Sequence, residues 1–373
     1  MKIVVAPDSF KGSLTAKQVA ETIKEAIENI DGGVDIVTKP MADGGEGTLE
    51  ALMTSTKGRI VSVSCIGPLG ETVDTYYAIT NSNIAIIEVA LVAGLVQVSE
   101  NKRNPDKTTS YGVGEIIIDA LDKGCTSLII GLGGSATNDG GLGMLQALGM
   151  KAFDENGHEV GSLGENLHEI TRVCLAGLDK RLGNVNIQVA TDVDNPLCGE
   201  DGASEVYGPQ KGATKTQIHQ FDKSLDLFSR LIEDEMGESF QYKSGAGAAG
   251  GLGFAFLILG GQLISGAQLI AQTIGLEEAI SSASIVITGE GKSDFQTLFG
   301  KAPGYVGNLA NKYDVPVILL SGIIQDEDKL HEVFTECFSI VNEEVTVRES
   351  MERPKKLLYE QMQRVYYLSG NIK

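Results

Sequence analysis

The 373-residue chain has no tryptophan, and aromatic residues make up only 6% of it. Its core must therefore rest on Val, Ile, Leu and Ala. Cysteine is scarce. Cys65, Cys125, Cys174, Cys198 and Cys337 are odd in number and never spaced Cys-x-x-Cys. The four histidines, His158, His168, His219 and His331, form no zinc-type pair. A disulfide scaffold and a structural zinc site are both disfavoured. Positive charge is short as well: 30 Lys and Arg stand against 50 Asp and Glu, for a net charge of −20. Nucleic acids and acidic membranes need a basic face that such a chain lacks, whereas a small phosphate ligand needs only local positive potential. No apolar run reaches the ~18 residues of a membrane helix. The N-terminus, one lysine and a short apolar run ending at Pro7, reads as a strand and not as a signal peptide. The expectation is a cytoplasmic protein with no nucleic-acid or membrane partner. The sequence leaves open whether it is a monomer or a homo-oligomer.

What the chain has in excess is glycine, 46 residues of 373, against an average usage of about 7%. The glycines cluster between apolar runs. Ile3 to Ala6 is a continuous apolar run, as expected of a strand buried on both faces. After it, Ser13 or Thr15 can cap a helix with apolar positions Val19, Ile23, Ala26, Ile27 and Ile30, which Gly32 and Gly33 would stop. Val34 to Thr38 reads as the next strand. This βαβ grammar implies a parallel sheet. It returns at 113–148, at Ser284 to Thr288 and at Val315 to Leu320. Residues 58–98 and 150–190 differ, with short β-rich runs and turn signals such as Glu155-Asn156-Gly157. The pattern predicts an α/β protein: a doubly wound parallel-sheet domain from 1–57, 101–148 and 275–373, and a second, inserted α/β domain with mixed or antiparallel strands from 58–100 and 149–274.

Ligands of open parallel sheets sit at the carboxyl ends of the strands, so the strand-to-helix loops are where chemistry is expected. The first offers Asp8, Ser9 and Lys11, and the second Asp43 and Glu46. The third, 131–141, combines Gly133, Gly134, Ser135, Thr137 and Asn138. Backbone amides at the start of the following helix would suit an anion there; tight strand–helix packing is the plain alternative. The fourth places Asp192 and Asp194 two apart, on one side if the strand continues. Such a pair can hold Mg²⁺ or take a proton from a hydroxyl, or can simply form an Asx-type turn before Pro196. The fifth holds Glu290 and a Gly291-Lys292-Ser293 triplet. It is no P-loop, because the required earlier glycine falls at Val286. Gly245, Gly247 and Gly250 match a dinucleotide fingerprint in spacing only, since Lys243-Ser244 precede them where a strand should. Lys11, Lys211, Lys292 and Lys301 flank glycines and could neutralise a phosphate. Many carboxylates, a few lysines and glycine loops suit phosphoryl transfer.

At these loops the chain resembles the bacterial glycerate kinase family, the group related to the glycerate kinases of glyoxylate and glucarate metabolism. The resemblance spans nearly the whole chain. It rests on eight ordered segments, among them APDSFKGSLTA (6–16), PMADGGEGT (40–48), GLGGSATNDGG (131–141), TDVDNPLCG (191–199) and GPQKGA (208–213). It implies ATP-dependent phosphorylation of D-glycerate with Mg²⁺, giving 2-phosphoglycerate or, by another label in the family, 3-phosphoglycerate. A carboxylate-binding homologue without catalysis is the non-enzymatic alternative. The family fold implies a flavodoxin-like domain and a second α/β domain with the active site in the cleft between them. On this reading Asp192 or Asp194 is the general base and the other assists Mg²⁺. Lys11 offsets developing charge. Asp8, Ser9, Asp43, Glu46, Gly133, Gly134, Ser135, Thr137, Asn138, Lys211 and Glu290 bind substrate or phosphate. Lys292 and Phe295 depart from the family pattern, where an arginine and a small residue are expected; an ammonium does not reproduce a planar guanidinium.

Overall fold

The computed structural model describes residues 1–45 and 47–368. They form two compact α/β units. One comprises Met1–Asp43, Gly47–Lys57 and the chain from Ser265 onward; the other is Gly58–Ile264 with a short piece beginning at Gly44.

The first unit is built on five parallel strands in the order Asp35–Thr38, Lys2–Val5, Ile285–Thr288, Val317–Ser321, Glu336–Ser339. Numbered along the chain this is 2-1-3-4-5, the flavodoxin-like order. Ile3 lies beside Ile285 on one flank and Ile36 on the other. Its apolar run is continuous because both faces are covered. Ile3, Val5, Ile285, Ile287, Ile318 and Leu320 meet the helices Ala16–Glu28 and Pro354–Leu368. The Ala302–Asn311 helix packs against the strands Ile285–Thr288 and Val317–Ser321. Thr15 caps the first helix in a reciprocal box: its hydroxyl accepts from the Gln18 amide at 3.3 Å while Gln18 Oε1 accepts from the Thr15 amide at 3.0 Å. The helix stops at Glu28, before the expected Gly32-Gly33. Asp31 accepts from the Gly33 amide at 3.0 Å, a local turn that leads the chain away from the helix at these glycines.

The second unit carries a six-stranded mixed sheet. Gln262–Ile264, Asn186–Ala190, Ser127–Gly131 and Ile84–Glu88 run parallel; Thr72–Thr80 and Gly58–Ile66 are appended antiparallel. A short antiparallel pair, Lys151–Phe153 with Arg172–Cys174, lies apart from it, and the 154–158 turn brings Phe153 opposite Glu159. Besides the short piece at Gly44, which was expected with the first unit, the division differs from the expected one in two places. Segment 101–148 was expected with the first sheet, but Ser127–Gly131 is flanked on both sides by second-unit strands. Residues 265–274 lie with the first unit. An all-apolar parallel strand looks the same in either sheet, so its pattern does not say which one it joins. Among the described residues no helix is long and apolar enough to cross a membrane.

Candidate active site

In the first unit the strand order reverses between Lys2–Val5 and Ile285–Thr288, and the loops leaving these two strands part there to form the usual ligand crevice. Asp8 sits in the first loop and is only 5% exposed. Burial, aided by the negative charge of Asp43, pushes its carboxyl up to about 7; the Ser9 amide, donating at 2.6 Å, and the Lys11 ammonium oppose this. Burial works against the Lys11 ammonium too. Its hydrogen bond to Asp43 at 2.9 Å and the charges of Asp43, Asp8 and Glu290 more than offset that, so it stays protonated above its ordinary value. Glu290, also buried, accepts from Thr297 Oγ1 at 2.6 Å and Ser293 Oγ at 3.3 Å, and pairs with Lys301 at 3.4 Å. Lys292 lies 3.5 Å from Asp294. Ser9, Lys11, Asp43, Glu290, Lys292, Asp294 and Lys301 line a cavity of about 420 Å³. Lys292-Ser293 pairs in parallel with Ile323–Ile324, a ladder that a P-loop's free cradle of amides would not form.

Loop 131–141 belongs to the second unit, and the expected helix-start anion site is not what it forms. The helix begins only at Leu142. The fully buried Asp139 takes up its first amides: its carboxylate accepts from Gly141 and Gly143 and from the amide and hydroxyl of Ser110 at 2.7–3.3 Å. Burial raises the Asp139 pKa and these hydrogen bonds pull it back. Gly134 and Ala136 are tied to Leu95 and Ala93 by backbone hydrogen bonds at 2.8 Å. Close packing accounts for Gly133, since a Cβ there would lie 2.5 Å from Gly45 Cα. Ser135 is buried and bridges to Gly94.

The same loop also holds a buried polar cluster. Lys211 is 2% exposed, and burial pushes its ammonium down to about 7 although Asp139 supports it. It donates to the Thr137 carbonyl at 2.6 Å. Asn138 donates to Ser204 at 3.0 Å. Thr137 Oγ1 and Asn138 Oδ1 are buried without a hydrogen-bond partner among the described residues, an arrangement expected where a ligand or water completes the set.

Asp192 and Asp194 lie in an exposed loop after Asn186–Ala190, and Asp194 Oδ1 accepts from Ser244 Oγ at 2.6 Å. Among the described residues no three carboxylates, cysteines or histidines are grouped to hold a metal. Glu46 lies outside the described residues. The dinucleotide-like glycines prove to be packing. Gly250 has φ 72°, and a Cβ on it would meet the Thr137 carbonyl oxygen at 2.0 Å. Two contributors escaped the sequence. One is Asp139, whose role as a buried amide acceptor has no local signature. The other is the helix Val347–Glu352, whose Val347, Ser350 and Met351 line the 420 Å³ cavity although more than 300 residues separate them from its Ser9–Ser13 loop.

The family model described as "Glycerate kinase family" matches residues 3–369. The chain is 42% identical to the glycerate kinase of Halalkalibacterium halodurans over 99% of its own length and 98% of the relative's. It is 45% identical to the glycerate 2-kinase of Escherichia coli K12, over 88% of this chain and 86% of that one. A crystal structure from Salmonella typhimurium LT2, provisionally assigned as glycerate kinase 2, superposes with a TM-score of 0.90 at 41% identity, covering 98% and 97% of the two chains.

The chain belongs to the glycerate kinase family. As a glycerate kinase it is a phosphotransferase, and its lysines and carboxylates are the groups such chemistry uses. Where the family pattern leads one to expect arginine, this glycerate kinase has Lys292, half-exposed beside Asp294. Phe295 is exposed, in edge contact with Phe299 and beneath Lys329.

Proposed function

We propose that this glycerate kinase transfers the γ-phosphoryl group of ATP to the 2-hydroxyl of D-glycerate, giving 2-phospho-D-glycerate and ADP, and that it works in the cytoplasm. The observation that carries the phosphoryl-transfer reading is the set of lysine–carboxylate pairs around the strand-reversal cavity, in a chain of this family. The transferred group carries charge on three oxygens, and catalysis is mainly its neutralisation and positioning. Lys11 has that role, held by Asp43, with Asp8, Ser9 and Glu290 fixing its surroundings. In the second unit Lys211, Thr137 and Asn138 hold the acid. Of the two unsatisfied atoms, Asn138 Oδ1 accepts from a glycerate hydroxyl and the Thr137 hydroxyl donates to the carboxylate, and Gly133, Gly134 and Ser135 shape the loop around them. The product position is favoured by the 45% identity to a glycerate 2-kinase.

Mg²⁺ fits without a preformed cage, because it is commonly bound by one or two carboxylates together with substrate phosphates and water. Of the pair Asp192 and Asp194, Asp192 is the residue that would hold it, and it would supply charge neutralisation. Asp194, oriented by Ser244, is the acceptor for the hydroxyl proton. The test is ADP release on mixing the enzyme with ATP, Mg²⁺ and D-glycerate, with ³¹P NMR of the product. Coupling to one proton is expected for the 2-phosphate. Coupling to two would show the 3-phosphate. No ADP above background would favour a carboxylate-binding homologue.

A further inference from the structure

The 420 Å³ cavity of the first unit has an architecture that a three-carbon acid does not need. Its floor is formed by the carboxyl-end loops of three adjacent strands: Ser9–Ser13, Glu290–Asp294 and Gly322-Ile323. The loops are in tight backbone contact. The Gly322 amide donates to the Glu290 carbonyl and the Ile323 amide to the Gly291 carbonyl, both at 3.0 Å, and a Cβ on Gly322 would lie 2.4 Å from the Gly291 oxygen. Its lining includes three lysines, Lys11, Lys292 and Lys301, with their carboxylate partners Asp43, Asp294 and Glu290, and five apolar residues, Ile323, Ile340, Val347, Met351 and Pro354.

We infer that this cavity is the nucleotide site, with the polyphosphate toward the three lysines and the base against the Ile323–Ile340–Met351 wall. The inference rests on the phosphoryl-transfer reading above and says which substrate this cavity takes. Size is the first argument: the cavity has room for roughly a dozen waters at about 30 Å³ each, and glycerate would leave most of that unfilled. Chemistry is the second. A hydroxy acid has no apolar surface to set against five apolar side chains, whereas a purine does, and small-molecule sites typically join an apolar wall to a few polar anchors. Charge is the third. Each lysine is paired with a carboxylate, Lys11 with Asp43, Lys292 with Asp294 and Lys301 with Glu290, at 2.9–3.5 Å. All three lysine side chains are 37–73% exposed. The lysine ends are thus open to solvent and within reach of phosphate oxygens, while the carboxylates that hold them are more buried, at 11–28% exposed.

Met351 and Val347 are 48% and 51% exposed, so a charge at either position is compatible with folding. The experiment is calorimetric titration of ADP into the wild type, Met351→Glu and Val347→Glu, with circular dichroism confirming the fold, followed by KM values for ATP and D-glycerate. The expected result is ADP binding on the order of tenfold weaker, about 1.4 kcal/mol, a parallel rise in KM for ATP, and an unchanged KM for glycerate. Unchanged ADP affinity in both folded variants would overturn the inference. So would a rise confined to the KM for glycerate. If the wild type bound ADP and the variants weakened it, but no phosphorylated glycerate formed, the nucleotide assignment would stand and the glycerate reading would fall.

Discussion

Asp8 and Lys211 are both buried ionisable groups, and their pKa values are pushed in opposite directions. Asp8 titrates near 7 in the folded state and near 3.9 when unfolded. Between those values the folded state keeps a proton that the unfolded chain has released, so this group removes stability as pH rises from about 4 to about 7. Asp8→Asn should therefore gain stability over the wild type at pH 8 more than at pH 4.5, seen as a widening gap in urea midpoints; a gap independent of pH would refute the assignment. Lys211 titrates near 7 folded and 10.5 unfolded. Here the unfolded chain holds the extra proton, so stability rises between pH 7 and about 10.5. Lys211→Met should flatten that rise, although it leaves the Thr137 carbonyl without its donor, which costs about 1–3 kcal/mol. Asp194→Asn tests the proton acceptor: turnover should fall at least about 100-fold with the fold intact, and near wild-type turnover would transfer the role elsewhere.

Among the elements, the helix Ala248–Ile258 shows what its glycine-rich start is for. Gly245, Gly247 and Gly250 match a nucleotide fingerprint in spacing only. In the fold, Ala249, Gly250 and Gly251 have φ of 52°, 72° and 95°, and this left-handed break lets the chain lie against 137–140, with the Gly140 amide donating to the Gly250 carbonyl at 2.9 Å. Gly250→Ala combines a positive φ with a backbone collision at 2.0 Å and should cost at least about 2 kcal/mol. Gly260, with φ 80° and nothing within 4 Å of its would-be Cβ, is the control. There Ala should cost only about 1–2 kcal/mol. Equal losses in denaturant titrations would show that contact with the 137–140 loop does not set the requirement.

At the scale of the whole molecule, continuous apolar runs marked strands buried on both faces, and Ile3 to Ala6 and Ser284 to Thr288 were legible for that reason. Pairing was not legible. Hydrophobicity places Ser127–Gly131 in a sheet without saying which sheet, and the partition of 101–148 was misread accordingly. The Asp8, Lys11, Asp43 and Glu290 cluster was visible as separate loops because strand-end loops of a parallel sheet converge. The apolar wall at Val347–Pro354 was not visible, since nothing local distinguishes it from any amphipathic segment. The second unit's core is drawn entirely from residues between Val61 and Ile258. A 58–264 fragment should consequently unfold in one cooperative transition, and a gradual, non-cooperative loss of ellipticity would contradict this.

The strand Lys2–Val5 lies at the centre of its sheet beside Ile285–Thr288. On the ribosome these neighbours emerge far apart in time. At about 5–20 residues per second, the first strand waits roughly 15–60 s for its partner, with Ile3, Val4 and Val5 lacking their final cover. The whole mixed sheet of Gly58–Ile264 is synthesised in that interval. Birth order thus runs opposite to chain order: the inserted unit can be complete before the unit that begins the chain has its central pair. A ribosome stalled before residue 285 should hold a protease-resistant middle and a sensitive N-terminal arm, with Ile3, Val4 and Val5 in need of a chaperone during the wait.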